Sequence, residues 1–397
     1  MKKVIITIII LLIIGGSVYF VLNIKDNKTI DFDNASIEEI EKYAKDKKLK
    51  LTVEKIYSKE VIEGKVISHE LKDNKLKVII SLGKIPLTFY KDNHINELGK
   101  IPIMMYHGIV NKKNSETNFT GGNVDKDGYN RTTEAFINDL EFYYKNNYRM
   151  ISLKDYVNKK INIPLGKSPI VLTFDDGKEN NMKVLKKDDK GNLEIDPNCA
   201  VGILESFKKK YPDYNVTATF FLNSSLFNQK EYNKDIIKWL IKNNYDIGNH
   251  TLTHPDISKI TKEETNRQVG GMYKILDDYL KDYVKIVALP FGSPYKKSHP
   301  NFNGVLEGVI NDYKYNTTTT LRVGWDSEYS PFDTYFDYTF LKRIRAWDNN
   351  GKDFDITYVF KNLENNKYIS DGDEKTIVVP LINKDRLIDT KLEVITY

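Results

Sequence analysis

Residues 101–397 predict an α/β domain with a parallel sheet, arranged as a (β/α) barrel. Three observations carry this. Short apolar strands alternate with amphipathic helices throughout the span. The residues with chemical potential, His107, Asp175, Asp176, His250 and Phe291, fall just after strand ends, and loops that follow the strands form the working face of such barrels. The chain has 397 residues, enough for one large domain and a smaller one ahead of it.

The elements follow in order. Met1, Lys2 and Lys3 precede an apolar run over residues 4–22, whose length of about 19 residues spans a bilayer as a helix. The two lysines would keep residues 1–3 cytoplasmic. A cleaved signal peptide cut near Gly15-Gly16-Ser17 is the other reading. The apolar run continues through Val18-Tyr19-Phe20-Val21-Leu22, where a signal peptide should turn polar, so an uncleaved single-pass anchor is expected. The remaining chain then lies outside the cell membrane, or is secreted if the anchor is cut. After a polar spacer, Ser36 and Glu39 mark a capped helix start, and Ile37, Ile40 and Ala44 recur on one helical face. Leu49, Leu51 and Val53 alternate with polar residues as a half-buried strand. Further strands are read at residues 65–68 and 76–81. Residues 30–84 are thus a small α+β unit, and 85–100 a linker. In the larger domain, strands are expected at 101–106, 170–174, 216–222, 245–247, 285–289 and 319–323. Helices are expected at 134–148, 236–243 and 262–279. Residues 178–215 read as a polar insertion carrying a helix at 201–209.

Bulk properties bound the function. A net charge of +5 with acids and bases intermixed gives nucleic-acid binding little support. The single cysteine, Cys199, excludes a disulfide framework and a thiolate cluster; it reads as structural. Aromatic content of 12%, mostly Tyr, suits stacking on sugar rings, though an AT-rich genome would favour the same residues.

The chemistry concentrates in two segments. Residues 170–177, IVLTFDDG, form a buried-type strand ending on two carboxylates and a glycine. Residues 248–254, GNHTLTH, offer imidazoles four residues apart. Alone, the first could be a turn and the second chance. Together they supply a carboxylate and two histidines, a metal site with room for water, and a spare carboxylate to act as base. That combination predicts metal-assisted hydrolysis.

These motifs resemble those of polysaccharide deacetylases, the NodB-homology or carbohydrate esterase family 4, over His107 to about Arg345. Thr173-Phe174-Asp175-Asp176-Gly177, Asn249-His250-Thr251-Leu252-Thr253-His254, Ala218-Thr219-Phe220-Phe221 and Leu289-Pro290-Phe291-Gly292 carry the match. The resemblance implies a distorted (β/α)7 barrel that removes N- or O-acetyl groups from polysaccharides. It implies Asp175 as general base, with Asp176, His250 and His254 holding a divalent metal. Zn2+ suits that set, with Co2+, Ni2+ or Mn2+ as alternatives. It also implies the backbone N–H of Phe291 as an oxyanion donor. Ala288 stands where the family often has an arginine that orients the base, leaving Arg322, Arg343 or Arg345 for that task. No histidine follows His299, so the family's C-terminal acid is missing. The strand Ile103-Met104-Met105-Tyr106-His107-Gly108 resembles the first strand of permuted deacetylases acting on poly-β-1,6-N-acetylglucosamine, and His107 is expected to be the general acid. Trp325 and Asp326 stand near the family's fourth motif; Trp325 reads as buried core or as a pocket wall, and Asp326 as a partner of a histidine. His69, His94 and His299 read as surface residues. Residues 30–84 resemble a PASTA repeat, which implies contact with cell-wall peptidoglycan; a plain spacer is the alternative. The expected activity is de-N-acetylation of peptidoglycan or poly-N-acetylglucosamine. A wall-binding protein with an impaired site and an O-acetyl xylan-type esterase are the competing readings.

Overall fold

The computed structural model describes residues 30–110, 129–348 and 351–397, apart from positions 34 and 282. The anchor expected over residues 4–22 lies outside them. No helix among the described residues is long and apolar enough to cross a membrane.

The N-terminal unit forms as its capping and alternation dictate. The Ser36 hydroxyl accepts the Glu39 N–H, and the Glu39 carboxylate accepts the Ser36 N–H, which fixes the start of α1 (Ile37–Asp46). Buried Ile40 and Ala44 face a sheet of β1 (Lys50–Ile56), β2 (Val66–Lys72) and β3 (Lys75–Ser81). Strand β3 lies in the middle, parallel to β1 and antiparallel to β2. Residues 85–100 are not a free linker. They form a short helix, Leu87–Asp92, and bury Tyr90, Ile95 and Leu98.

The large domain alternates strands and helices: β4 (Ile103–Tyr106), α2 (Thr133–Lys145), β5 (Tyr148–Met150), β6 (Ser168–Phe174), α3 (Ala200–Lys210), β7 (Thr219–Leu222), α4 (Asn233–Lys242), β8 (Asp246–Asn249), α5 (Lys262–Asp277), β9 (Ile286–Ala288), β10 (Thr319–Leu321), β11 (Phe340–Leu341) and β12 (Ile344–Arg345). The nine strands order as β11-β10-β9-β8-β7-β6-β4-β12, with β5 beside the start of β6. Every pairing is parallel. The two edges of this path, β11 and β12, belong to one stretch, residues 340–345. The sheet therefore curls until its edges meet across Lys342 and Arg343. Strand β6 is buried along its whole length, as a strand covered on both faces must be. Phe174 stacks between Tyr106 at 5.3 Å and Phe220 at 5.0 Å, centroid to centroid. After the sheet come α6 (Ile356–Leu363) and a parallel pair, β13 (Thr376–Val379) and β14 (Glu393–Thr396).

Element boundaries shift by up to a few residues from the sequence expectation, and one helix end and one insertion show why. The helix expected over 134–148 ends at Lys145, because the Asn146 side chain bonds back to the Phe142 carbonyl at 2.8 Å and Asn147 takes a left-handed φ of 69°. Tyr148 then opens a strand. The insertion over 178–215 holds its helix, α3, together with a hairpin of Val184–Lys187 and Leu193–Ile195. Cys199 is structural, as expected: it is buried and its Sγ accepts the Gly202 N–H at the start of α3.

Candidate metal centre and active site

Three sequence-predicted ligands converge at the carboxyl ends of β6 and β8. Asp176 Oδ1 lies 3.4 Å from His250 Nε2 and 3.5 Å from His254 Nε2, and one ligand atom from each of the three lies within 4.8 Å of the others. The loop that carries both histidines is tied down locally. Asn249 accepts the Thr251 N–H at 2.8 Å and donates to the Val269 carbonyl at 2.9 Å. Thr251 accepts the His254 N–H at 3.1 Å. His250 Nδ1 sits 2.8 Å from the Ala288 carbonyl, which makes Nδ1 the N–H donor and leaves a lone pair on Nε2. That Nε2 is buried with no hydrogen-bond partner among the described residues. Two imidazole nitrogens and a carboxylate oxygen crowd together, and one proton cannot satisfy all three. A divalent cation does, and His2Asp is a donor set that zinc accepts with positions left open.

Asp175 turns the other way, into the barrel. Arg343, fully buried at 0% exposure, grips it with two parallel bonds of 2.7 Å and 2.6 Å. Arg343 also reaches Thr173 Oγ1 at 3.2 Å. Burial pushes the Asp175 carboxyl up, but the Arg343 charge and hydrogen bonds, together with His250 and His107, hold the pKa below the usual carboxylate value. His107, directly after β4, brings Nε2 to 3.9 Å from Asp175 Oδ2. Burial lowers the His107 pKa to about 4 against the pull of Asp175 and Asp176. Phe291, after β9, has a φ of 57° and its ring centroid is 4.7 Å from that of His254. At neighbouring Gly292, φ is 69° and a Cβ would come within 2.8 Å of the Val323 nitrogen; only glycine allows that approach. Asp175, Asp176, His250, His254, His107 and Phe291 are thus brought to one end of the sheet.

Residues 162–303 match the family model of polysaccharide deacetylase. This part of the chain is similar to polysaccharide deacetylases. The peptidoglycan-N-acetylglucosamine deacetylase of Bacillus cereus is 31% identical over 129 residues, which is 32% of this chain and 38% of that protein. The chain thus spans well under half the length of that relative. Two solved structures are similar. One is the Streptococcus pyogenes deacetylase PplD in complex with acetate, at 18% identity over 64% of this chain and 94% of that one, with a TM-score of 0.45. The other is a de-N-acetylase from Aggregatibacter actinomycetemcomitans, at 14% identity over 66% of this chain and 99% of that one, with a TM-score of 0.43.

The structure selects among the three candidate arginines and corrects two sequence readings. Among the three candidate arginines, only Arg343 touches Asp175. Arg322 stands over the Phe340 ring, and Arg345 lies 4.7 Å from the ring centres of both Tyr129 and Trp325. Trp325 is not buried core: it is 39% exposed and packs on Phe354 at 4.7 Å. Asp326 partners no histidine among the described residues; it pairs with Lys100 at 2.9 Å and Lys342 at 3.4 Å. His69 is a surface residue as expected, and stacks on Phe32.

Proposed function

We propose that the chain is a metal-dependent hydrolase that removes N-acetyl groups from an N-acetylglucosamine-containing polysaccharide outside the cell, peptidoglycan or poly-N-acetylglucosamine. The observation that carries this is the junction of the Asp176–His250–His254 donor set with an arginine-clamped carboxylate, Asp175, one residue away. When bound, a divalent ion held by those three side chains would lower the pKa of water and polarise the acetamide carbonyl. Asp175, kept ionised and fixed in direction by Arg343, takes the proton of the attacking water. The Phe291 N–H donates to the oxygen where charge develops. His107 is neutral at rest because of its burial. It receives the proton from Asp175 and passes it to the departing nitrogen. The impaired-scaffold reading loses one of its two supports, because Arg343 holds Asp175 where Ala288 offers no charge. Residues 4–22 would anchor the enzyme in the membrane, and the PASTA-like character of residues 30–84 favours peptidoglycan as the polymer.

Acetate release from peptidoglycan, poly-N-acetylglucosamine and acetylated xylan, measured with metal content on the same purified protein, tests this. Asp176→Asn is expected to lose both metal and turnover. His107→Ala should keep its metal and lose about 10²–10⁴-fold in turnover, the usual contribution of a positioned acid or base. Metal-replete protein that releases no acetate from either aminoglycan would sink the proposal. Release from xylan alone would move it to an O-acetyl esterase.

A further inference from the structure

The opposite end of the sheet holds a second cleft, of about 610 Å³. It is bounded by the starts of β7, β8 and β9 and by the ends of α4 and α5. Asp246 opens β8, and His250 follows the last residue of that strand. At a strand rise of about 3.3 Å per residue the two are roughly 13 Å apart, so the cleft is separate from the metal centre.

Its charges are unbalanced. Lys154, Lys238, Lys242 and Lys281 line it, and none forms an ion pair among the described residues. The facing acids are few. The Asp155 carboxylate is engaged by the Ser152 hydroxyl at 2.7 Å. The Asp246 carboxyl has its pKa pushed up to about 6 by burial, partly offset by Lys154. The floor is polar and unsatisfied. Thr219 is 1% exposed, yet its Oγ1 has no partner among the described residues, and Asp246 Oδ2 is in the same condition. Buried polar atoms are rarely left unpaired without a reason. Here both lie in a cleft large enough for a sugar-sized ligand.

We propose that this cleft binds a phosphate-bearing sugar or polyol, with the phosphate on the lysine rim and the hydroxyls on Thr219 and Asp246. Ammonium groups suit a phosphate as point charges. Hydroxyls both donate and accept, which is what an unpartnered threonine and a carboxyl require. Such a site holds the domain on a phosphate-containing polymer while the metal centre, at the other end of the strands, stays open. The ligand could equally be a small soluble ester of the same chemistry.

Calorimetric titration of the full-length protein in detergent separates these cases. The probes are glycerol 3-phosphate and a short poly(glycerol phosphate), with glycerol and inorganic phosphate as controls. Saturable binding of a phosphate ester is expected, weakened about tenfold or more by Lys238→Gln/Lys242→Gln, and negligible for glycerol. Tighter binding of the oligomer assigns a polymer; equal affinity for the monomer assigns a soluble ester. Thr219→Val removes an unpartnered buried hydroxyl, so it should melt no lower than wild type while binding more weakly. Acetate release by either variant should be unchanged. The proposal is overturned if no phosphate ester binds saturably, or if the lysine pair can be neutralised without loss of affinity. Inorganic phosphate binding as tightly as the esters, or Thr219→Val binding them undiminished, would overturn the role given to the hydroxyls.

Discussion

Arg343 shows what a single residue contributes and why sequence alone cannot select it. Its guanidinium meets Asp175 in a two-pronged bond although 168 positions separate them. No local pattern marks such a pairing; three arginines were equal candidates until the sheet curled. The candidate metal ligands were legible for the opposite reason. Asp175 and Asp176 are adjacent, and the two histidines lie within one short loop, so most of their geometry is set by local chain. Lysine at 343 would keep the charge and lose the fork, leaving Asp175 ionised but free to turn. Arg343→Lys is therefore expected to lower kcat by about 10²-fold, the scale of a misplaced catalytic group, with metal content intact. Arg343→Met strands a buried carboxylate and should destabilise the protein by about 3–5 kcal/mol, read by chemical denaturation. Wild-type kcat in Arg343→Lys would show that Asp175 needs charge alone.

Among the elements, those with strong local signals were read correctly and those held by neighbours were missed. Capping and helical periodicity gave α1, α4 and α5, and the apolar runs gave β4, β6, β7, β8, β9 and β10. Strands β11 and β12 are two residues each, too short for any periodicity, and they exist because two sheet edges meet on them. The loops after the strands carry another cost that is invisible in sequence. Asp176, Thr251, His254 and Phe291 all have positive φ, a conformation that costs about 1–3 kcal/mol per non-glycine residue. The surrounding folds hold them there, so the turns aim ligands and an N–H at one point. Gly292 is the hinge of one such turn. Gly292→Ala places a methyl against the Val323 backbone and retains the left-handed requirement. It should lower the melting temperature and reduce kcat more than it raises KM, because Phe291 moves. A variant that melts lower with unchanged kcat would remove Phe291 from the chemistry.

Across the whole molecule, the chain outside the barrel is not decoration. Lys59 of the N-terminal unit pairs with Asp373 at 2.8 Å and Glu393 at 3.3 Å, beside the C-terminal strands. Residues 85–100 close that junction from within. Glu97 is 2% exposed and accepts the Val378 N–H at 2.7 Å and the Tyr368 hydroxyl at 2.8 Å. It ties the segment ahead of the barrel to β13 and to the chain after α6. The sequence placed this stretch between two units as a linker, since a carboxylate inside a core has no sequence signature. Burial, reinforced by nearby Asp371, holds the Glu97 pKa well above its ordinary value of 4.5. The sign of its effect follows. Below about pH 4.5 the group is protonated in both folded and unfolded chains. As pH rises, the unfolded chain ionises freely while the folded one resists, so Glu97 contributes stability at low pH that is lost as pH climbs toward the folded pKa. Glu97→Gln removes that titration. Unfolding free energies of both proteins, measured by denaturant from pH 5 to 9, should diverge, with the wild type losing more stability as pH rises. Parallel curves would mean that the carboxylate is already ionised in the folded protein, its charge absorbed by the Val378 and Tyr368 bonds.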